Sequence, residues 1–145
     1  MSLKHFLLIG CLACTQPALA HDGAMGIVKE RMDGMVAIAK ALKELTAISK
    51  TGSVDAQAVS THAQTIAEHS GARLLALFPE GSLQNVSEAR LTIWEDWDRF
   101  EALARQMEAQ ARDLPEMTTP DALQNALNAT NQTCAACHKA FRLKK

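Results

Sequence analysis

The sequence predicts an all-α protein that folds as an antiparallel, up-down four-helix bundle. Four segments repeat apolar residues at three- and four-residue steps, which is the spacing of one face of an α-helix. Short stretches that contain glycine, proline or serine separate these segments, and short connections favour antiparallel neighbours. No alternating strand pattern, internal repeat or low-complexity tract in the sequence favours another fold class.

The first predicted helix runs from Ala24 to about Lys50. Its apolar residues form two rows of a heptad pattern and therefore share one face of the helix. These residues are Val28, Met35, Leu42, Ile38 and Leu45. Gly52 is expected in the C-terminal cap region, and Ser53 is expected to be the N-cap of the next helix.

The second helix is predicted from about Val54 to Leu77 as one continuous element. Its apolar stripe comprises Val59, Ala63, Ile66, Ser70, Leu74 and Leu77. The stretch 78–82 contains a proline and a glycine, which punctuate secondary structure, so the helix is expected to end there. Residues 81–86 would form the longest connection.

The third helix is predicted to begin near Ser87, a good N-cap residue, and to stop at Pro115. Its inner stripe comprises Trp94, Trp97, Phe100, Ala104, Met107, Ala111 and Leu114. The fourth helix is predicted to begin at Thr119 and Pro120, an N-cap followed by proline at the first helical position. Its inner stripe comprises Leu123, Leu127, Thr130, Cys134, Cys137 and Phe141.

The most informative motif is Cys134-Ala135-Ala136-Cys137-His138, because C-x-x-C-H is typical of a c-type haem attachment site. Two thiols three residues apart lie on one face of a helical turn and can form thioethers with the two vinyl groups of one haem. The adjacent His138 is then placed to bind the iron from the proximal side. A thioredoxin-like redox pair, a structural disulfide or half a zinc site would use similar residues. The sequence has neither the βαβ pattern of the first nor the second ligand pair of the last.

Residues 1–20 are predicted to be a secretory signal peptide, which leaves residues 21–145 as the haem domain. Lys4 precedes a short apolar region, and Ala18-Leu19-Ala20 is an A-x-A cleavage signal. The apolar run is too short to span a bilayer. A lipoprotein cleavage site at Cys11 is a weaker alternative. Export predicts that the protein is located in the periplasm. Covalent haem attachment in bacteria takes place in that compartment.

The charge balance excludes nucleic acid as an expected partner. The chain has a formal net charge of −1, and removal of residues 1–20 leaves 14 basic against 16 acidic side chains, a charge of −2. Basic residues cluster only near the C-terminus, at Lys139, Arg142, Lys144 and Lys145. We expect this cluster to steer acidic periplasmic redox proteins toward the haem domain.

The chain resembles the cytochrome c′ family, the class II c-type cytochromes, from about Ile27 to Lys145. Four pieces carry the resemblance: Val28-Lys29-Glu30-Arg31 with Met35; Leu77-Phe78-Pro79 with Gly81 and Ser82; Ile93-Trp94 with Phe100; and Cys134 to Arg142. The last piece is highly specific, and the others gain weight from their order. The resemblance implies a four-helix bundle with one covalent haem c and no enzymatic reaction on a substrate. Members of the family often form dimers through the outer faces of their first two helices, so the resemblance also allows a homodimer.

The resemblance also implies roles for individual residues. Gas-binding members of the family carry an apolar residue at the position of Met35, whereas the low-spin, cytochrome c-556-like branch carries methionine there. The chain is therefore expected to be an electron carrier with His138 as the proximal ligand and Met35 as the distal ligand. The alternative is a five-coordinate cytochrome c′ that binds nitric oxide or carbon monoxide. The matching arginines of the family place Arg31 near a haem propionate and Arg142 near the proximal histidine.

Ordinary structural roles compete with each of these assignments. Met35 could simply fill the core, since methionine adapts to irregular gaps. Arg31 could snorkel from the bundle edge, and Arg142 could complement the dipole at a helix end. Met32 and Met25 are weaker candidates for the distal ligand. His62 and His69 lie seven residues apart on the second helix but have no partner motif, so we expect partly solvated helix residues rather than a metal site.

Overall fold

The computed structural model describes residues 24–83 and 86–144, and over these ranges the chain forms the expected four-helix bundle. The predicted signal peptide lies outside the described residues. The bundle has four antiparallel segments, which we call arms, and the second and third arms each contain more than one helix. The elements are α1 (Gly26–Ile48), α2 (Ala56–Glu68), α3 (Gly71–Ala76), α4 (Thr92–Glu95), α5 (Trp97–Asp113) with a 3₁₀ turn at Leu114–Glu116, and α6 (Pro120–Phe141).

The predicted apolar stripes meet in one central core. Helix α1 packs against α2 and α6, while α5 packs against α2, α3 and α6, so the four arms close into a ring. Each arm contributes buried side chains, among them Val28, Ile38, Leu45, Val59, Ile66, Phe100, Leu114, Leu123, Leu127 and Phe141. Burial of one such side chain stabilises the fold by about 1.5–3 kcal/mol, which makes this core the main source of stability.

The second arm is not one continuous helix, so the prediction over 54–77 was wrong in this respect. Helix α2 ends at Glu68, and α3 begins at Gly71, whose φ of +53° favours glycine. The Glu108 carboxylate also lies so close that a Cβ on Gly71 would be 1.7 Å from its oxygen. The break therefore depends on a close approach between α3 and α5. The stripe itself continues across it, because Ser70 and Leu74 are buried.

The predicted caps were wrong at one turn and right at another. Helix α1 ends at Ile48 with Ser49, not Gly52, as its C-cap, and the Ser49 hydroxyl donates to the Gln124 side-chain oxygen at 2.9 Å. Asp55, not Ser53, caps α2 by accepting from the Ala58 N–H at 3.0 Å.

The start of α6 is confirmed. The Thr119 hydroxyl accepts from the Ala122 N–H at 3.3 Å, and Pro120 is the first helical residue.

The third arm begins later than Ser87. Helical structure starts at Thr92, and the residues before it include an antiparallel bridge from Ala89 to Arg142. We call residues 88–92 the capping segment, because their backbone pairs with the end of α6. The connection before the third arm is consequently longer than the predicted stretch 81–86. Long-range backbone pairing has replaced the local helix that the sequence pattern favoured.

Candidate haem-binding site

Both cysteines of the C-x-x-C-H motif lie on the core-facing side of α6, as predicted. Cys134 and Cys137 are half-buried and pack against the hydrophobic core. The structure pairs neither of them in a disulfide. The Cys134 sulfur lies 3.8 Å from the sulfur of Met107, a buried residue of α5. The thiols are therefore directed into the bundle.

The surroundings keep both thiols neutral before they react. Burial raises the pKa of Cys134. Burial, and then the neighbouring Cys134, raise the pKa of Cys137 to about 11, while Arg99 acts in the opposite direction. A redox-active surface cysteine usually has a lowered pKa and an exposed thiolate. These two cysteines have the opposite character, which disfavours the thioredoxin-like interpretation.

His138 lies at the surface end of the motif. It is exposed to solvent, yet partial burial is the largest influence on its pKa, and this influence lowers it. The positive charge of Arg142 lowers the pKa further, whereas Glu88 raises it. The net lowering favours the neutral imidazole, which is the form that binds metal ions.

Arg142 lies just beyond the last residue of α6 and within hydrogen-bond distance of the His138 backbone. It follows the last residue of α6 with extended dihedral angles, φ −114° and ψ 138°. Its N–H still donates to the His138 carbonyl oxygen at 3.1 Å. Its Nε donates to a Glu88 carboxylate oxygen at 2.7 Å. Arg142 is thus held at the motif by a partner far away in the sequence.

Met35 lies on α1, the helix that packs against α2 and α6. It is half-buried and packs against the core, as its place in the heptad predicted. Met32 is also half-buried, whereas Met25 is 73% exposed and precedes the helix. Among these methionines, Met35 is the one that combines a core-facing position with the register of the resemblance. Its ligation of iron stays a prediction.

Arg31 is buried, with 5% of its surface exposed, so it does not snorkel into solvent. Its Nη2 donates to the backbone and side-chain oxygens of Ser82, the latter at 3.2 Å, and its guanidinium lies 4.4 Å from the centre of the Phe78 ring. Burial lowers its pKa. Its Nε and Nη1 are buried, and neither has a hydrogen-bond partner within residues 24–83 and 86–144.

These residues fit a covalently bound haem. Two neutral thiols and an adjacent imidazole match the attachment chemistry, and a thioether sulfur is a standard second ligand for iron. The unpaired Nε and Nη1 of Arg31 match an anion such as a haem propionate, because a guanidinium forms strong, charge-assisted hydrogen bonds with a carboxylate. Burial of polar groups without partners is costly, so an anionic partner would explain this arrangement.

Sequence reasoning missed three residues that build the site. Phe78 and Ser82 were recognised only as part of a turn signature, although both contact Arg31. Glu88 carried no recognisable signal, because its partner Arg142 is 54 residues away. Phe78 also belongs to an aromatic cluster centred on Phe100, which lies 4.9 Å from it between ring centres. The cluster continues to Phe141 at the end of α6.

The two histidines of the second arm, His62 and His69, are both partly exposed to solvent. His62 is half-buried on α2, and the His69 ring packs against Gly34 of α1. Within the described ranges, no group of three or more histidine, cysteine or acidic residues is arranged to hold a metal ion. Among the helices of the same ranges, none has the length and apolar character needed to cross a bilayer.

Comparisons with known proteins point to one family. The family model described as cytochrome c′ matches residues 26–142. A cytochrome c-556 of Agrobacterium tumefaciens (strain II Chrys) is 35% identical over 83% of this chain and 99% of its own. A cytochrome c′ of Rhodospirillum rubrum is 28% identical over 97% of this chain and 99% of its own.

The fold agrees as well. The solved cytochrome c′ of Rhodopseudomonas palustris superposes with a TM-score of 0.75 at 26% identity, covering 84% of this chain and 99% of that one. The family match spans all of α1 to α6 and includes the attachment motif. The chain therefore belongs to the cytochrome c′ family, whose members carry covalent haem c.

Proposed function

We propose that this protein is a periplasmic electron carrier with a six-coordinate, low-spin haem c between His138 and Met35. The observation that carries this proposal is the position of Met35, half-buried on the core-facing side of α1. Helix α1 packs directly against α6, which carries His138. The haem supplies the iron whose ferric and ferrous states exchange one electron.

The protein side chains hold the ligands and set the potential. Cys134 and Cys137 anchor the haem to α6, and His138 and Met35 lie on two long helices packed on one core. Rigid helices keep both ligands in place when the iron changes oxidation state. A thioether ligand in an apolar environment favours the ferrous state and so raises the reduction potential.

Arg31 is proposed to bind a haem propionate. Each of its two unpaired nitrogens, Nε and Nη1, can donate a charge-assisted hydrogen bond to a carboxylate oxygen. The carboxylate would also offset the cost of burying the guanidinium charge. Phe78 and Ser82 would then hold the guanidinium in this orientation from the other side.

The second candidate function is reversible binding of nitric oxide or carbon monoxide at a five-coordinate iron. It is favoured by the relatives themselves, which include proteins named cytochrome c-556 and one named cytochrome c′. The family match alone therefore does not choose between a methionine-ligated iron and an open distal side. The side chain at position 35 makes the difference.

Absorption spectra of both oxidation states test the assignment of Met35. The ferric wild type is expected to be low-spin, and Met35→Ala is expected to be high-spin because the sixth ligand is lost. Met32→Ala is a matched control on the same helix and should stay low-spin. A high-spin ferric wild type would contradict the proposed ligation and favour the gas-binding candidate.

The exposed basic residues near His138 are proposed to attract acidic redox proteins. Lys139, Arg142 and Lys144 are exposed, and Lys145 lies outside the described residues. Because Arg142 is paired with Glu88, the two lysines are expected to dominate this field. Ferricyanide is a simple anionic probe for the positive field of these lysines.

In stopped-flow experiments at low salt, the double variant Lys139→Glu, Lys144→Glu should reduce ferricyanide several-fold more slowly than the wild type. Its rate should no longer fall as salt is added, since the attraction that salt screens beyond about 10 Å at 0.1 M has been removed. The double variant Lys40→Glu, Lys43→Glu, at two exposed sites on α1, is the charge-matched control. Equal rates for all three proteins would contradict the steering role.

Export and assembly are part of the same proposal. The signal peptide at residues 1–20 supports a periplasmic location, and an electron carrier needs no bond chemistry on a substrate. A homodimer through the outer faces of α1 and α2 stays a prediction. Val36, which is 53% exposed, is an apolar residue on α1 that such a contact could bury.

A further inference from the structure

The outer face of α1 carries a line of lysines. Four residues follow one another at seven-residue steps and therefore share the side of the helix that faces away from the core. They are Lys29, Val36, Lys43 and Lys50, and Lys40 lies one turn from Val36 on the same side. All five side chains are exposed, and Lys50 lies two residues beyond the end of α1. We call these five residues the lysine stripe.

Most of the charge of the lysine stripe is unpaired. Lys29 forms an ion pair with Asp33. Among residues 24–83 and 86–144, no carboxylate lies within ion-pair distance of the other three lysines. Between Val36 and Lys50 the only acidic residue in the sequence is Glu44, which is half-buried. The stripe therefore presents a positive surface on a protein whose formal net charge is negative.

The charge of the bundle is also polarised across its width. Helices α1 and α5 each pack against α2 and α6, so they lie diagonally opposite one another. Residues 92–116, which span α4, α5 and the 3₁₀ turn, carry seven acidic and three basic side chains, whereas residues 36–50 carry one acidic and three basic ones. A negatively charged surface would attract the α1 side and repel the α5 side, which orients the protein as well as binding it.

A groove lies beside the lysine stripe, between α1 and α6. Its volume is about 580 Å³, which is within the usual range for small-molecule sites. Ala39, Leu42 and Ala47 give the groove an apolar lining, and Lys43 and Lys50 also line it. An apolar lining next to ammonium groups is complementary to an amphipathic anion, which has an apolar chain and a negatively charged head.

The residue types of this face favour a lipid surface over a protein partner. Protein interfaces are enriched in aromatic residues and arginine and depleted in lysine and alanine. The stripe and the groove together contain no aromatic residue and no arginine, and they are richest in lysine and alanine. A second copy bound here about a two-fold axis would place lysines against lysines, which repel. Helices that bind membrane surfaces combine lysines with exposed apolar side chains, such as Val36, which is 53% exposed.

We propose that the lysine stripe and the adjacent groove dock this protein on the surface of an anionic phospholipid membrane. The lysines bind the lipid phosphates, while Val36 and the apolar lining of the groove contact acyl chains next to the headgroups. Such binding is peripheral and reversible, because it depends on charge and buries little apolar surface. This inference goes beyond electron transfer and does not rest on how the iron is coordinated, so either conclusion can fail without the other.

Co-sedimentation of the intact holoprotein with vesicles at low salt tests the proposal. The wild type should bind vesicles of equal parts phosphatidylglycerol and phosphatidylcholine, and it should stay in solution with phosphatidylcholine alone. One lysine near an anionic membrane strengthens binding by a factor of about five. The double variant Lys43→Gln, Lys50→Gln should therefore bind the anionic vesicles about 25-fold more weakly. Added salt should release the wild type, since it screens the charges.

The matched control is the double variant Arg73→Gln, Arg105→Gln, which removes two exposed positive charges from α3 and α5 and should bind as the wild type does. The absorption spectrum shows whether each variant keeps the haem environment of the wild type. Equal binding to both kinds of vesicle, binding to neither, or equal losses in the two double variants would overturn the proposal. Gel filtration tests the second copy as the occupant. A dimer that is lost in the lysine variant while vesicle binding is unchanged would assign the stripe to self-association instead.

Discussion

On the proposed proximal side of the site, α6 ends in a turn that is held by backbone hydrogen bonds from the capping segment. On the proposed distal side, α1 presents Arg31 and Met35 through side-chain packing and the contacts of one buried guanidinium. Several hydrogen bonds hold the proximal side in place, whereas only a few contacts hold the distal side. Changes of single side chains should therefore alter the distal side more easily than the proximal side.

The contrast offers a reason why relatives with one fold carry two names. These names are cytochrome c-556 and cytochrome c′, while the match to this chain runs over the whole bundle. A haem attached through α6, combined with a distal wall that depends on single residues, would allow one fold to support different iron coordination. The predictions below test this contrast, beginning with the largest expected effect.

Removal of both thiols should abolish covalent attachment. In the double variant Cys134→Ala, Cys137→Ala, acid–acetone should extract all of the haem, whereas the wild type should keep its colour. Alanine is the best helix former, so α6 itself should persist in circular dichroism. The single variant Cys134→Ala should retain one thioether and therefore keep its haem. Colour that survives extraction of the double variant would refute attachment at this motif.

Removal of the buried guanidinium should be the most damaging single change on the distal side. Arg31→Met should lower the free energy of unfolding of the holoprotein by about 1.5–3 kcal/mol, the range for hydrogen bonds to charged groups. Denaturant titration measures this change. Lys29→Met is a matched control, because Lys29 pairs with Asp33 on the exposed face and surface pairs contribute at most about 1 kcal/mol.

An unchanged stability of Arg31→Met would show that the two unpaired N–H groups find no anion in the holoprotein. Replacement of a buried, incompletely paired charge by an apolar side chain is often neutral or stabilising. The measurement thus separates a propionate ligand from a merely buried arginine.

Removal of one proximal hydrogen bond should have the smallest effect. Thr92→Val loses the bond to the Ala140 carbonyl oxygen, but Arg90 still donates to the same atom. We expect a loss of about 0.5–1 kcal/mol and no change in the spin state. Thr61→Val is the control, since its hydroxyl bonds only within an exposed turn of α2. A loss larger than that of Arg31→Met would reverse the proposed contrast between the two sides.

Local patterns explain the predictions that succeeded. The attachment motif, the inner stripes and the start of α6 at Thr119 and Pro120 are written in residues a few positions apart. Helical periodicity identifies the buried face because side chains three and four residues apart lie on the same side. The core-facing positions of Cys134 and Met35 follow from this alone.

Contacts between distant residues explain the predictions that failed. Helix α2 stops before Gly71 at the point where α5 brings the Glu108 carboxylate against the chain. The third arm starts at Thr92 instead of Ser87, because the capping segment pairs with the end of α6. Helix propensity near Ser87 was overridden by backbone hydrogen bonds that only the folded chain can form.

The sequence by itself determined the fold class, the buried faces and the chemistry of attachment, since each is encoded by local spacing and residue type. Only the tertiary structure decided which charges surround the haem site. Arg31 meets Ser82 across 51 residues, and Arg142 meets Glu88 across 54. Such pairs depend on how the helices pack and on where the connections cross the bundle, and no periodic pattern along the chain records either.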